Sequence, residues 1–191
     1  MSTVAKLSGA DFDSMVARGA FEDLPPMKIE LLDGELSFMN PAGPYHDDYI
    51  DYLTRWSTNA MSADRAVVRV QSGFHCGEHR PEPDILWLRP RRYIPRKPTA
   101  ADVLLLIEVS ECSKTIDLRR KRTLYAEHDI PEYWVVDVAA QRLHRFTDPA
   151  NGDYRRSEIF QPPDRPSPQA NPAAPLDLAE LFIEPPAEDA V

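Results

Sequence analysis

Glycine and cysteine are scarce in this chain, which has 7 Gly and 2 Cys among 191 residues. No Gly-x-Gly-x-x-Gly segment follows a predicted strand, so dinucleotide binding is not expected. The two cysteines, Cys76 and Cys112, are expected to stay reduced, because thiols in the cytosol are kept from forming disulfides.

Long apolar runs are missing as well. No segment approaches the length of a membrane span, and residues 1–10 lack the basic start and apolar centre of a signal peptide. A cytoplasmic protein without a membrane partner is therefore expected. Apolar residues make up 42% of the chain, which is enough for a substantial core in one domain.

Positive charge is in the minority, since 22 Lys and Arg against 31 Asp and Glu give a net charge of −9. This balance argues against a protein that coats nucleic acid non-specifically. Basic residues nevertheless concentrate in segments 89–97 and 114–122. Each segment is interpreted either as a solvated face or as part of a groove that follows phosphates.

Two apolar runs each carry one carboxylate where a buried strand ordinarily has aliphatic side chains. Asp84 precedes the run 85–88, and Glu108 lies inside the run 103–109. A buried carboxylate is costly unless a cation neutralises it. Because the run 103–109 is apolar on both faces, we expect it in the middle of a sheet.

A lysine adds a third charge at a core-facing position. One arc of a predicted helix from about 114 to 128 consists of Leu118, Lys121, Leu124, Tyr125 and His128. This helix joins strand 103–109 to strand 133–138, so the two strands are expected to be parallel. We expect Asp84, Glu108 and Lys121 to converge in one cleft at the carboxyl end of strand 103–109, with the two basic segments flanking it.

Two hairpins are predicted around this central unit. Alternating residues from 27 to 39 surround Asp33-Gly34, and a second alternating pair, at an edge of the sheet, surrounds Asn151-Gly152. A helix that begins near Pro44 places His46 in its first turn.

Composition divides the chain into three parts. Residues 1–26 form a peripheral segment that ends in Leu24-Pro25-Pro26, and residues 27–160 form the domain with the charged cleft. Six prolines between 161 and 175 begin the third part, residues 161–191, which consists of a strap, a short helical turn and an acidic tail.

The charged residues belong to a longer spaced pattern. It begins with Pro83-Asp84, continues with Glu108-Val-Ser-x-x-Ser-x-x-x-Asp117-x-x-x-Lys121-x-x-x-Tyr125, and ends with Ile130-Pro-Glu-Tyr-Trp134. This pattern resembles the Uma-two group of nucleases. That group belongs to the PD-(D/E)XK superfamily, and the resemblance covers roughly residues 28–182. It implies an α/β fold with a restriction-endonuclease-like core: a mixed central sheet flanked by helices, with an N-terminal hairpin. Serine at position 110 departs from the superfamily pattern, so the resemblance assigns the lysine role to Lys121.

The resemblance also implies an activity and its residues. It implies a DNA endonuclease that hydrolyses phosphodiester bonds with magnesium or manganese. The metal ligands implied are Asp84, Glu108 and the carbonyl of Val109, and Lys121 would act on the attacking water or the phosphate. Glu30 matches the upstream acid of the family, and His46 matches a histidine at the edge of the site. A homodimer is a further expectation, because cutting both strands requires two active sites.

Other interpretations remain open on the residues alone. Lys121 could pair with Asp117 as an ordinary helical ion pair at i, i+4. His75, Cys76 and His79 are better explained as a polar loop than as a zinc site, since no second pair of ligands follows. The whole domain could instead be a non-catalytic nucleic-acid-binding module or, given its charge of −9, a protein-interaction domain.

One energetic expectation follows from two acids that share a metal site. Without a cation, Asp84 and Glu108 would repel each other, so Asp84→Asn is expected to stabilise the metal-free protein slightly. A divalent ion would then raise the melting temperature of the wild type alone.

Overall fold

A computed structural model describes residues 5–39, 43–110 and 116–183 of the chain. The helices are α1 (Gly9–Ala17), α2 (Pro44–Ala60), α3 (Arg122–Glu127) and α4 (Leu178–Leu181). The strands are β1 (Lys28–Leu32), β2 (Glu35–Met39), β3 (Val67–Val70), β4 (Ile85–Leu88), β5 (Val103–Ser110), β6 (Glu132–Asp137), β7 (Arg142–Ala150) and β8 (Asp153–Phe160). Cys112 and the predicted acidic tail at 184–191 lie outside the described residues.

The main sheet has six strands in the order β3-β4-β5-β6-β7-β8. Only β5 and β6 pair in parallel, and the other neighbours are antiparallel. The helical crossover explains the parallel pair, because a short turn cannot return the chain to the starting end of the sheet. The sequence predictions of a central strand at 103–109, a parallel partner and an edge hairpin are confirmed.

Side chains alternate between the two faces of the sheet, which gives each face its own hydrophobic layer. Trp87, Ile107 and Trp134 pack on the face covered by α2 and α4. Leu86 and Leu106 pack on the opposite face, with Leu124 and Tyr125 of α3. Glu108 follows Leu106 by two positions, so its carboxylate points to the α3 face.

The N-terminal hairpin forms a separate two-stranded sheet, β1 with β2. Its turn uses Asp33 and Gly34, whose φ angles are 53° and 78°; positive φ at both positions is what a tight hairpin turn requires. Leu31 exchanges backbone hydrogen bonds with Arg80 at 3.3 and 2.8 Å, and this contact joins the hairpin to the rest of the fold.

The helical crossover differs from its prediction. The segment Ile116–Lys121 is a π-helix, and α-helix begins only at Arg122; residues 114 and 115 lie outside the described part. A π-helix closes its hydrogen bonds at i→i+5, so it inserts an extra residue that a pattern of 100° per residue does not encode. Lys121 ends the π segment and is buried.

The strap and the last helix cover one face of the sheet. Asn171 donates from its side chain to the carbonyl of Ala60 at 2.6 Å, and Trp56 donates to the carbonyl of Pro175 at 3.2 Å. Asp177 caps α4, whose Leu178 and Leu181 are buried. Among the residues described, none of the helices has the length and apolar character needed to cross a membrane.

Candidate active site

Glu108 and Lys121 form the centre of the site. The Lys121 ammonium lies 2.8 Å from Glu108 Oε1, and the Tyr125 hydroxyl donates to the same oxygen at 3.1 Å. Lys121 and Tyr125 can reach it together because they lie four residues apart, one helical turn, on the side of the crossover that faces β5. Burial raises the pKa of Tyr125, and the nearby Glu108 charge raises it further, so the phenol stays protonated as a donor.

Glu30 comes from the hairpin, which brings it under the same lysine. Its Oε1 lies 3.1 Å from the Lys121 ammonium and accepts the Glu82 N–H at 2.7 Å. The hairpin is held against the crossover by Arg120, which donates to Asp33 Oδ2 at 2.7 Å and to the carbonyl of Leu32 at 2.8 Å. Long-range docking therefore fixes the position of Glu30.

Asp84 lies just before β4, beside the end of β5. Its Oδ2 accepts the Val109 N–H at 2.8 Å and lies 3.5 Å from His46 Nε2. Its Oδ1 lies 3.5 Å from the ammonium of Lys28. Burial by itself would raise the pKa of Asp84, but His46, Lys28 and the Val109 N–H outweigh burial and lower that pKa.

Lys28 is the member of the site that sequence reasoning missed. Its Nζ lies 3.5 Å from Asp84 Oδ1 and 3.9 Å from Glu108 Oε2, so it bridges the two acids. Burial would lower the pKa of Lys28, yet Glu108 and Asp84 together raise it, so the amine is held as a cation. Strand alternation places Lys28 on the same face of β1 as Glu30, but it does not show that this face contacts the site.

The expectation for Asp84→Asn assumed a site without a cation, and Lys28 places one between Asp84 and Glu108. Three carboxylates, Glu30, Asp84 and Glu108, share the site with two ammonium groups, Lys28 and Lys121. The lowered pKa of Asp84 means that the fold stabilises its charged form. Asp84→Asn should therefore destabilise the metal-free protein rather than stabilise it.

Every predicted site residue has a definite place in the structure. Asp84, Glu108, Lys121 and Glu30 are brought together and are each at most 3% exposed. His46 contacts Asp84 at the edge of the cluster, and Val109 supplies an N–H to it. The catalytic and metal-binding roles of these residues stay predictions.

The structure also bears on two other interpretations of the sequence, an ion pair between Lys121 and Asp117 and a polar loop at residues 75–79. The side chain of Asp117 is outside what the structure describes, while Lys121 pairs with Glu30 and Glu108. Cys76 and His79 exchange backbone hydrogen bonds, and His79 Nδ1 accepts the Asp33 N–H at 3.0 Å. Residues 75–79 thus form a polar loop whose groups serve local structure.

One basic segment is misplaced by the sequence prediction. Connection 89–97 was expected to flank the site, but it leaves β4 after Leu88, which pairs with Val103 at the start of β5. The antiparallel pairing that brings Asp84 beside Val109 necessarily sends the chain away from them at the other end of β4. The crossover, in contrast, carries Lys121 into the site and Arg120 to the hairpin beside it.

A divalent cation such as magnesium requires oxygen donors. Within residues 5–39, 43–110 and 116–183, no three His, Cys, Asp or Glu side chains are arranged as a metal cluster. Asp84 and Glu108 nevertheless offer oxygen donors, and an ammonium cation already lies between them. Magnesium is commonly held by one or two carboxylates and several waters, so the residues present fit such an ion.

Fold and site together define a class. A mixed six-stranded sheet, flanked by helices, bears acids and a lysine at the carboxyl end of a central strand, and its fold is similar to that of a solved structure described as a putative nuclease. The profile of the Uma2 family, described as "Putative restriction endonuclease", matches residues 18–179. The chain therefore belongs to the Uma2 family.

A solved structure supports the same fold. The chain is similar to the crystal structure of "a putative nuclease belonging to DUF820" from Anabaena variabilis, with a TM-score of 0.69. The match covers 92% of this chain and 97% of the other, at 16% sequence identity. A search of curated proteins finds no significant relative.

Proposed function

We propose that this chain is a metal-dependent endonuclease that hydrolyses phosphodiester bonds of DNA in the cytoplasm. The observation that carries the proposal is the convergence of Asp84, Glu108, Glu30 and Lys121 at the carboxyl end of β5. Membership of the Uma2 family supports the same reaction class. A purely structural ion pair would need one acid for Lys121, whereas two acids contact it and a third lies next to them.

A divalent ion held by Asp84, Glu108 and the Val109 carbonyl would neutralise charge on the phosphate and activate a water. The other groups of the site have separate tasks. Lys121, fixed between Glu30 and Glu108, would orient the attacking water or stabilise negative charge on the phosphate. Tyr125 holds Glu108 in place by its hydrogen bond to Oε1. In the reaction a water oxygen bonds to phosphorus, one P–O ester bond breaks, and a proton passes to the leaving oxygen.

A second candidate is a non-catalytic nucleic-acid-binding or protein-interaction domain that keeps the nuclease fold. The observation that favours it is the internal neutralisation of the site, where Lys28 and Lys121 already contact the acids. The net charge of −9 favours protein partners within this second candidate.

The test is nicking of supercoiled plasmid by purified protein in magnesium or manganese. We expect cleavage that stops when a chelator is added. Lys121→Met should reduce the rate by about 100-fold or more, the scale of a positioned acid-base or charge-stabilising group. Lys6→Met is the matched control, because it removes the same charge at an exposed position. Cleavage unaffected by chelator, or retained in Lys121→Met, would contradict the proposed function.

A further inference from the structure

The four oxygens of Asp84 and Glu108 are not equivalent. Asp84 Oδ2 accepts the Val109 N–H at 2.8 Å, and Glu108 Oε1 lies 2.8 Å from the Lys121 ammonium. The remaining oxygen of each acid, Asp84 Oδ1 and Glu108 Oε2, lies 3.5 and 3.9 Å from Lys28 Nζ. The Lys28 ammonium therefore approaches both acids, at oxygens other than those that Val109 and Lys121 contact.

We propose that Lys28 is a tethered counter-ion that occupies the cation position of the site and withdraws when a divalent ion binds Asp84 and Glu108. This inference rests on the proposed metal-dependent function. It assigns Lys28 a positioning role, because its ammonium acts on the two acids in the metal-free protein and does not contact the reacting atoms.

The contacts of the two lysines support different roles. Lys121 has short contacts of 2.8 and 3.1 Å, and its side chain is 3% exposed. Lys28 has longer contacts of 3.5 and 3.9 Å, and its side chain is 19% exposed. Lys28 is thus the cation with the weaker contacts and with access to solvent. A side chain that leaves the site when a metal binds requires both properties.

Electrostatics makes the exchange necessary. Two cations a few ångströms apart in a buried site repel strongly, so an ammonium and a divalent ion cannot share the same two oxygens. The unbranched lysine side chain can carry its charge to the surface while its backbone stays paired with Met39 in the hairpin. Divalent-ion affinity is therefore lowered by the displacement of Lys28, and the metal-free fold is stabilised by its presence.

Calorimetric titration with manganese tests the competition. Wild type, Lys28→Met and Lys6→Met are compared, the last removing an equal charge from an exposed position. Lys28→Met should bind manganese about tenfold more tightly than wild type or more, while Lys6→Met should stay within about twofold. Equal or weaker binding by Lys28→Met would overturn the proposal.

A second measurement uses the wild type and so does not depend on whether a variant folds. Lysines are acylated briefly with a succinimidyl ester, with and without manganese, and the modified sites are quantified by mass spectrometry. Manganese should increase labelling of Lys28 several-fold relative to Lys6 if the side chain moves to solvent. Unchanged labelling of Lys28 at saturating manganese would overturn the withdrawal.

The outcomes separate this inference from the function on which it rests. If wild type binds manganese and nicks plasmid but Lys28→Met binds no more tightly, only the role of Lys28 is wrong. If neither protein binds manganese, the proposed metal-dependent function and the proposed role of Lys28 are both wrong. Binding by Lys28→Met in the absence of detectable wild-type binding would be strong support, since removal of the tethered cation would then expose the site.

Discussion

At the scale of single residues, the site is a set of buried charges that neutralise one another. Glu30 and Glu108 share Lys121, while Asp84 and Glu108 share Lys28. Removing one partner of such a set leaves an uncompensated buried charge, which typically costs about 3–5 kcal/mol. Loss of activity in any variant at these positions must therefore be compared with its stability.

Asp84 gives a prediction about pH. Its folded-state pKa of about 2 lies below its ordinary value of 3.8, so its charged form adds stability at neutral pH. That stability is present above pH of about 4 and is lost as the pH falls towards about 2. Urea unfolding over this range should show a loss about 2 kcal/mol larger in wild type than in Asp84→Asn.

The control for this prediction is Asp51→Asn, which changes an exposed position on α2 and should keep the wild-type pH dependence. At neutral pH, Asp84→Asn should unfold at lower urea than wild type when no metal is present. Equal acid sensitivity of wild type and Asp84→Asn would show that the Asp84 charge does not stabilise the fold.

At the scale of elements, the hairpin is positioned by contacts that are distant in sequence. Arg120→Ala removes the hydrogen bonds from the crossover to Asp33 and Leu32. Losing these hydrogen bonds should weaken hairpin docking by about 1 kcal/mol. The loss is small because the groups that are set free can form hydrogen bonds with water instead. We expect faster amide hydrogen exchange at Leu31 and Arg80, which pair across the docking contact.

Arg122→Ala is the matched control for Arg120→Ala. Arg122 lies in the same crossover and donates to Asp153 at 2.7 and 2.9 Å, away from the hairpin. Its removal should leave exchange at Leu31 and Arg80 unchanged. If both variants exchange like wild type, Arg120 does not hold the hairpin in place.

The strands and helices show which parts of the site could be predicted from the sequence. Asp84, Glu108 and Lys121 were detectable because each charge interrupts an apolar pattern, and β5 was placed centrally because both its faces are apolar. Lys28 was not detectable in this way, since its role depends on hairpin docking through Arg80 and Arg120. Local periodicity contains no information about such long-range contacts.

The same limit explains the error over segment 89–97. Its charge was apparent from the sequence, but its location depends on which end of β4 faces the carboxyl end of β5. The antiparallel pairing decides this. Similarly, the π-helix at Ile116–Lys121 inserts an extra residue, which a pattern of 100° per residue does not encode.

At the scale of the whole molecule, the described part of one chain presents one such centre, formed around Asp84, Glu108 and Lys121. An enzyme that cuts both strands of DNA needs two such centres, so we predict that the active species is a homodimer. Light scattering of purified protein at micromolar concentration should give the mass of two chains. The mass of a single chain would contradict dimerisation and restrict the proposed activity to nicking or to single strands.

The central claim is that the acid at the end of β5 belongs to a nuclease centre. It is tested most directly by the rate of plasmid nicking in manganese by Glu108→Gln, compared with Glu132→Gln. Both replace a buried glutamate on neighbouring strands, but Glu132 accepts hydrogen bonds from Trp134 and Gln169, outside the site. With both variants shown to be folded, we predict that Glu108→Gln loses about 100-fold or more and Glu132→Gln stays within a few-fold of wild type. Equal rates in the two variants, or wild-type cleavage by Glu108→Gln, would contradict the account.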